Sequence, residues 1–312
     1  MHKFHKCDIL ALLIFYERKN IMDFLQSIIS FIMAIIAFFA SLLGIDINIG
    51  ETEKIDMSKF ELVWADEFEG DSLDLTKWNP QGNSEVRRGG YWNKNMQEVK
   101  DGNLVIFSEY FENGYEEGDP AGWYTTAVTT QNKFDQTFGY FETRCILPAG
   151  VGQWSALWMN SSVYPPDGAD GSYGGELDIF EGPYYNYDDP DRVFGAIHWG
   201  GYGEGHQSIS VTYKIDPVDP YHSYNTYGFE WNENEYIYYV NGEVTARVEK
   251  DRVVHSLVPH YIILSTEFSG SEGDAYTTHG IGDMDDNGKD YRGEFIVDYV
   301  RVYQYKPTAE TA

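Results

Sequence analysis

The chain is short of basic charge, of cysteine and of helix-like periodicity, and each shortage narrows what it can be. Of its 312 residues 22 are Lys or Arg and 50 are Asp or Glu, a formal net charge of −28. Residues 1–50 are balanced (Lys3, Lys6, Arg18 and Lys19 against Asp8, Glu17, Asp23 and Asp46), so the acidic surplus lies in residues 51–312. Such a surface repels nucleic acid and anionic lipid at long range. It also disfavours a densely sulfated polymer unless a local basic groove overrides it, whereas a neutral glycan meets no penalty. The two cysteines, Cys7 and Cys145, lie ahead of an apolar segment and inside a strand-like run. They are poor disulfide partners, and no metal-type cysteine spacing exists. A secreted chain of this size can be stable on its core alone.

The one long apolar run is Phe24–Leu43 (FLQSIISFIMAIIAFFASLL), free of charge and long enough to cross a bilayer as a helix. Arg18 and Lys19 precede it, an order that keeps the positive flank inside and exports the remainder. Residues 1–45 thus read as a signal peptide or a membrane anchor, with 1–21 a mis-assigned start if Met22 is the initiator. No clear cleavage site separates the two readings. Residues 46–58 read as a tether, 59–306 as one domain and 307–312 as a tail. A secreted or cell-surface monomer is expected.

From Leu62 onward, short β-type runs alternate with turn residues. LVIFSEY (104–110), GYFETRCIL (139–147), YIYYVNG (236–242), YIILSTEF (261–268) and FIVDYVRVYQY (295–305) are examples. Asp101-Gly102, Asn113-Gly114 and Asn241-Gly242 mark turns, the last between YIYYV and EVTARV as the plainest hairpin. Many short strands at this spacing predict an all-β fold of two packed antiparallel sheets. Aromatic residues are abundant (25 Tyr, 18 Phe, 8 Trp). They suit stacking on sugar rings, although pleated sheets favour them for packing alone.

The segment Gly174-Gly175-Glu176-Leu177-Asp178-Ile179-Phe180-Glu181-Gly182 carries the chemistry. On a regular strand Glu176 and Asp178 share one face, Leu177 and Ile179 the other, and Glu181 falls on the wrong side. One extra residue, a β-bulge near Ile179-Phe180, returns Glu181 to the face of the other two. Crowded carboxyls push their pKa values apart, so one stays ionised while another holds a proton. Retaining glycosidases need that asymmetry in a carboxylate pair about 5–5.5 Å apart. The competing reading is an acidic strand that merely faces solvent.

The Glu-x-Asp-x-x-Glu spacing closely resembles the signature of glycoside hydrolase family 16 in its bulged, laminarinase-like form. The likeness extends through LVWADEF (62–68), LDLTKW (73–78), DGNLV (101–105), GYFETR (139–144), LPAG (147–150), WSALW (154–158), AIHW (196–199) and VDYVRVY (297–303). The resemblance implies a β-jelly roll with a concave substrate cleft and a retaining endo-glycoside hydrolase. Its substrate would be a β-1,3-glucan of the laminarin type or a β-1,3-1,4-glucan. A galactan hydrolase of the agarase or carrageenase kind, a transglycosylase, or a non-catalytic carbohydrate-binding jelly roll are the alternatives. By the same likeness Glu176 matches the nucleophile, Asp178 its orienting partner and Glu181 the acid/base. Trp154, Trp158, His198, Arg144, Trp123 and Trp199 are candidates for substrate binding, with Arg144 expected to pair with a cleft carboxylate such as Glu142. No cofactor is implied for catalysis. Structural calcium is implied at Glu67, the Gly102 carbonyl and Asp298. Independently, Asp283, Asp285, Asn287 and Glu294 fit a calcium-loop spacing, without the flanking helices of a true hand.

Overall fold

The computed structural model describes residues 52–161, 174–182, 192–214, 219–268, 282–283 and 291–307. The apolar run Phe24–Leu43, Asp285 and Asn287 and the 308–312 tail lie outside these residues. Among the described residues no helix is long and apolar enough to cross a membrane.

Two large sheets face each other. The outer surface of one carries the cleft, and its described strands run from edge to edge Gln207–Lys214, Arg192–Trp199, Glu176–Glu181, Gln153–Ser161, His260–Phe268, Ala127–Thr129 and Asn79–Pro80. All these neighbours pair antiparallel. The opposite sheet is centred on the long strand Gly293–Tyr305, flanked by Gly139–Ile146 and Asn103–Phe111 and paired with the opening strand Phe60–Asp66. This is the antiparallel jelly-roll sandwich that the run spacing predicts.

Alternation explains the packing. Along Gln153–Ser161, Ser155, Leu157 and Met159 are buried, while Trp154 and Trp158 remain part-exposed on the other face. The period of two places one set in the core and the other in the cleft. Between the sheets Trp78, Phe141, Leu157, Phe180, Phe229, Trp231 and Phe295 form the centre of one continuous core. Burial of large rings on this scale stabilises the sandwich without a disulfide, and Cys145 is a free, buried thiol.

The Asn241-Gly242 turn behaves as its sequence demands. Both residues take positive φ (52° and 77°), and Val240 pairs with Glu243 across the turn. Residues at the end of the expected tether are held against this hairpin. Ile55 N–H donates to the Gly242 carbonyl at 2.9 Å, and Lys54 lies 3.7 Å from Glu243.

Candidate active site

The strand Glu176–Glu181 contains the bulge. On one side Leu157 pairs with Phe180 and the next residue, Trp158, with Asp178, so Ile179 has no opposite number. On the other side the register also slips between Asp178 and Glu181. Leu177, Ile179 and Phe180 are all buried in the main core. The two consecutive core positions reverse the alternation, and Glu176, Asp178 and Glu181 line the same cleft of about 430 Å³.

Burial and mutual repulsion set the protons. Burial, then the Asp178 and Glu176 charges, push the Glu181 carboxyl up to about 8. Trp154 tempers this by donating Nε1–H to Glu181 Oε1 at 3.0 Å. Burial first, then Glu176 and Glu267, hold the Asp178 carboxyl well above the usual carboxylate range. A carboxylic acid near neutral pH and an adjacent carboxyl with a water-facing edge are the two states that general-acid and nucleophilic chemistry need.

His198 pairs with Glu176 across the neighbouring strand. Its Nε2 lies 3.1 Å from Asp178 Oδ2 and 3.8 Å from Glu176 Oε1. The Asp178 contact lacks hydrogen-bond alignment, and Oδ2 has no aligned partner among the described residues. Behind it, His198 Nδ1 meets His206 Nε2 at 2.9 Å, with the two rings stacked. Glu176, Asp178 and His198 offer ligand atoms within 4.8 Å of one another, the one such metal-type group among the described residues. A hydroxyl reaches the same group: Tyr202 donates to Glu176 Oε2.

Trp154 and Trp158 both line the cleft, and Trp158 Nε1 donates to Ser265 Oγ at 3.0 Å. Three other candidates stand elsewhere. Arg144 lies on Gly139–Ile146, in the opposite sheet. There it pairs with Asp298 and stacks 4.1 Å over Tyr224, and Glu142 is taken by the hydroxyls of Tyr140 and Tyr299 at 2.8 Å each. A side chain on the outer face of that sheet cannot reach a cleft carboxylate, so the expected pairing is corrected. Trp123 is buried against Phe268 and Tyr110, behind the cleft wall. Trp199 follows His198 by one residue, so its ring turns to the opposite face and packs on the main core, while the residue borders a small pocket shared with Glu176, His198 and Tyr202.

The calcium set Glu67, Gly102 and Asp298 does not fit an ion as folded. Arg301 donates Nε–H and Nη2–H to the two Glu67 oxygens at 2.8 Å each, and Asp298 holds Arg144. Both carboxylates therefore already carry a cation of their own. In the calcium-loop pattern, Asp285 and Asn287 lie outside the described residues, and so does the Asp283 side chain; Glu294 accepts from Arg292 Nε at 3.0 Å.

Several cleft groups escaped the sequence reading. Arg87 and Arg88 donate to the two oxygens of Glu267 at 2.6 Å each, and Arg88 lies 4.1 Å over the Trp154 ring. Glu267 is only 5% exposed, which two guanidinium partners make tolerable. Adjacent arginines in so acidic a chain were the available signal. Tyr202 and His206 sit in a glycine-rich loop with no period to betray their direction.

The model described as "Beta-porphyranase A-D, GH16 domain" matches residues 61–305. Among curated proteins, a glucan endo-1,3-beta-glucosidase A1 of Niallia circulans is 27% identical over 83% of this chain, which spans 40% of that protein's length. A beta-glucanase of Rhodothermus marinus is 29% identical over 79% of this chain and 86% of its own. The laminarinase catalytic domain of Thermotoga maritima MSB8 superposes with a TM-score of 0.64 at 26% identity, covering 80% of this chain and all of that domain. With its bulged carboxylate strand on a jelly-roll cleft and the family match over most of its length, the chain belongs to glycoside hydrolase family 16.

Proposed function

We propose that the chain is a retaining endo-glycoside hydrolase of β-glucans, β-1,3-linked or mixed β-1,3-1,4-linked. The observation that carries this is the bulge at Ile179, which sets a carboxyl raised to about 8 on the same cleft face as Glu176. In the first step Glu181 donates its proton to the glycosidic oxygen as a Glu176 oxygen attacks the anomeric carbon. The glycosidic carbon–oxygen bond breaks, its pair leaves with the protonated oxygen of the departing chain, and a glycosyl-enzyme ester remains. In the second, Glu181 takes a proton from water, water attacks the same carbon, and the bonding pair returns to Glu176. Asp178 and His198 shape the charge around the nucleophile, and Trp154 and Trp158 offer faces for sugar stacking. The open cleft and the glucanases among the relatives support an endo mode on a long glucan. The apolar run Phe24–Leu43 behind Arg18 and Lys19 supports export as a secreted or surface enzyme, and the mutual repulsion of so acidic a chain supports a monomer.

Arg87 and Arg88 favour a second reading. They place positive charge in the cleft of a chain with net charge −28. Guanidinium forks suit sulfate esters, and the family model is described by a porphyranase activity. The sulfated-galactan reading therefore stands second. The test incubates wild type and Glu176→Gln with laminarin, mixed-linkage β-glucan, agarose and porphyran and measures new reducing ends and product anomers. β-Products from a glucan with wild type alone support the first reading, and release from porphyran alone moves the substrate to the second. No release from any of the four leaves a carbohydrate-binding jelly roll.

A further inference from the structure

The loop that follows the Arg192–Trp199 strand folds back over Glu176. Tyr202 on this loop is 58% exposed, yet its hydroxyl is fixed on both sides. It accepts from Asn160 Nδ2 at 3.2 Å, and Asn160 is itself 5% exposed on the next strand but one. With a lone pair of the hydroxyl already used, its own proton goes to the acceptor it touches, Glu176 Oε2. The other oxygen, Oε1, faces His198 Nε2 at 3.8 Å, outside hydrogen-bond range. One oxygen of the carboxyl is thus tethered and the other is left free to attack.

We infer that Tyr202 is a positioning residue for Glu176 whose hydrogen bond acts chiefly in the second half of the reaction, the release of the glycosyl-enzyme. The inference rests on the hydrolase reading above. Its direction follows from where the charge is. A phenol donating to a carboxylate makes a charge-assisted bond, so Tyr202 holds Glu176 most strongly whenever that side chain carries its negative charge. On attack the Oε1–carbon bond forms and the charge disperses into a neutral ester, so the bond weakens. On release, water adds to the anomeric carbon and Glu181 takes its proton. The carbon–Oε1 bond breaks, and the electron pair returns to a carboxylate that Tyr202 again stabilises. A donor of this kind makes Glu176 a better leaving group at the cost of some nucleophilicity.

Tyr202→Phe keeps the ring and removes the donor. The experiment uses the full chain and whichever of laminarin, mixed-linkage β-glucan, agarose or porphyran the wild type hydrolyses. It measures steady-state rates, and it measures the covalent adduct by intact mass after acid quench. The expected result is a kcat lower by on the order of tenfold, as loss of a charge-assisted hydrogen bond implies. KM falls with it and the adduct accumulates, because release has become slower than formation. Thermal unfolding of the variant should match wild type, since the side chain is mostly in solvent. Unchanged kcat overturns the inference, and so does a lowered kcat with KM level or raised and no adduct. If wild type itself hydrolyses none of the four, it is the hydrolase reading that fails, and the two failures are told apart.

Discussion

Replacing Glu181 by Gln should make the protein more stable at neutral pH while abolishing its chemistry. The Glu181 carboxyl is held at about 8 against an ordinary value of 4.5, mainly by burial and then by its acidic neighbours. Between these values the folded protein keeps a proton that the unfolded chain has released. Bound protons therefore favour the folded state below that window, and stability is lost as pH rises through it, by about 1.4 kcal/mol per unit. Near pH 7 the accumulated loss is about 3 kcal/mol. Gln does not ionise, has nearly the same volume, and can still accept from Trp154 Nε1. The variant should thus lose the slope and gain about 3 kcal/mol on wild type near pH 7, roughly 6–12 °C in Tm for a domain of this size. Hydrolysis should fall by about 10²–10⁴-fold. The assay is thermal unfolding of both proteins from about pH 5 to about pH 8.5 at constant ionic strength, beside the rate profile of wild type. Wild-type activity should decline as Glu181 gives up its proton near pH 8. Parallel Tm–pH curves for the two proteins would refute the argument, because they would mean that Glu181 titrates alike in folded and unfolded chains.

Three further outcomes are expected. Trp154→Phe removes the donor that lowers the Glu181 pKa, so the alkaline limb of the rate profile should move to higher pH while KM rises; a limb moving downward would contradict this. Arg144→Ala should leave kcat/KM within about twofold and cost on the order of 1 kcal/mol in denaturant unfolding, since its ion pair with Asp298 is part-exposed and in the opposite sheet. Glu267→Gln should destabilise by on the order of 1 kcal/mol, because it weakens the hold on two part-exposed arginines whose charge solvent partly screens; a melting temperature equal to wild type would show that solvent serves Arg87 and Arg88 as well.

What could be read in the sequence and what could not divide along a physical line. The bulge was legible because Glu176 and Glu181 are an odd number of residues apart, and a period of two cannot otherwise put them on one face. The same rule sorts Trp154 and Trp158 from Ser155 and Leu157, and Asn241-Gly242 announces its own positive φ values. Arg144 was misplaced because alternation tells which face a residue occupies, and not which of two sheets its strand joins. Trp123 and Trp154 are the same residue type in similar runs, and only long-range pairing separates a wall from its backing. Tyr202 was out of reach for a different reason. Its direction depends on the loop closing over a distant strand, which no local pattern encodes. The calcium expectation at Glu67 and Asp298 met two guanidinium groups in the ion's place, a competition that could not be foreseen without knowing which arginines face outward beside them.

The extra residue at Ile179 has a consequence for how this reaction can be inherited. Side chains at Ile179 and Phe180 can drift among apolar types, and the acid and the nucleophile will still meet. Deleting a single codon there would give Glu-x-Asp-x-Glu, whose acids a regular strand of period two already sets on one face, so the strand would lose its bulge and keep its carboxylates together. The reaction is thus written in the match between residue count and backbone register rather than in the letters between the two acids. Only the extra residue without its bulge, or the bulge without its residue, would turn Glu181 inward.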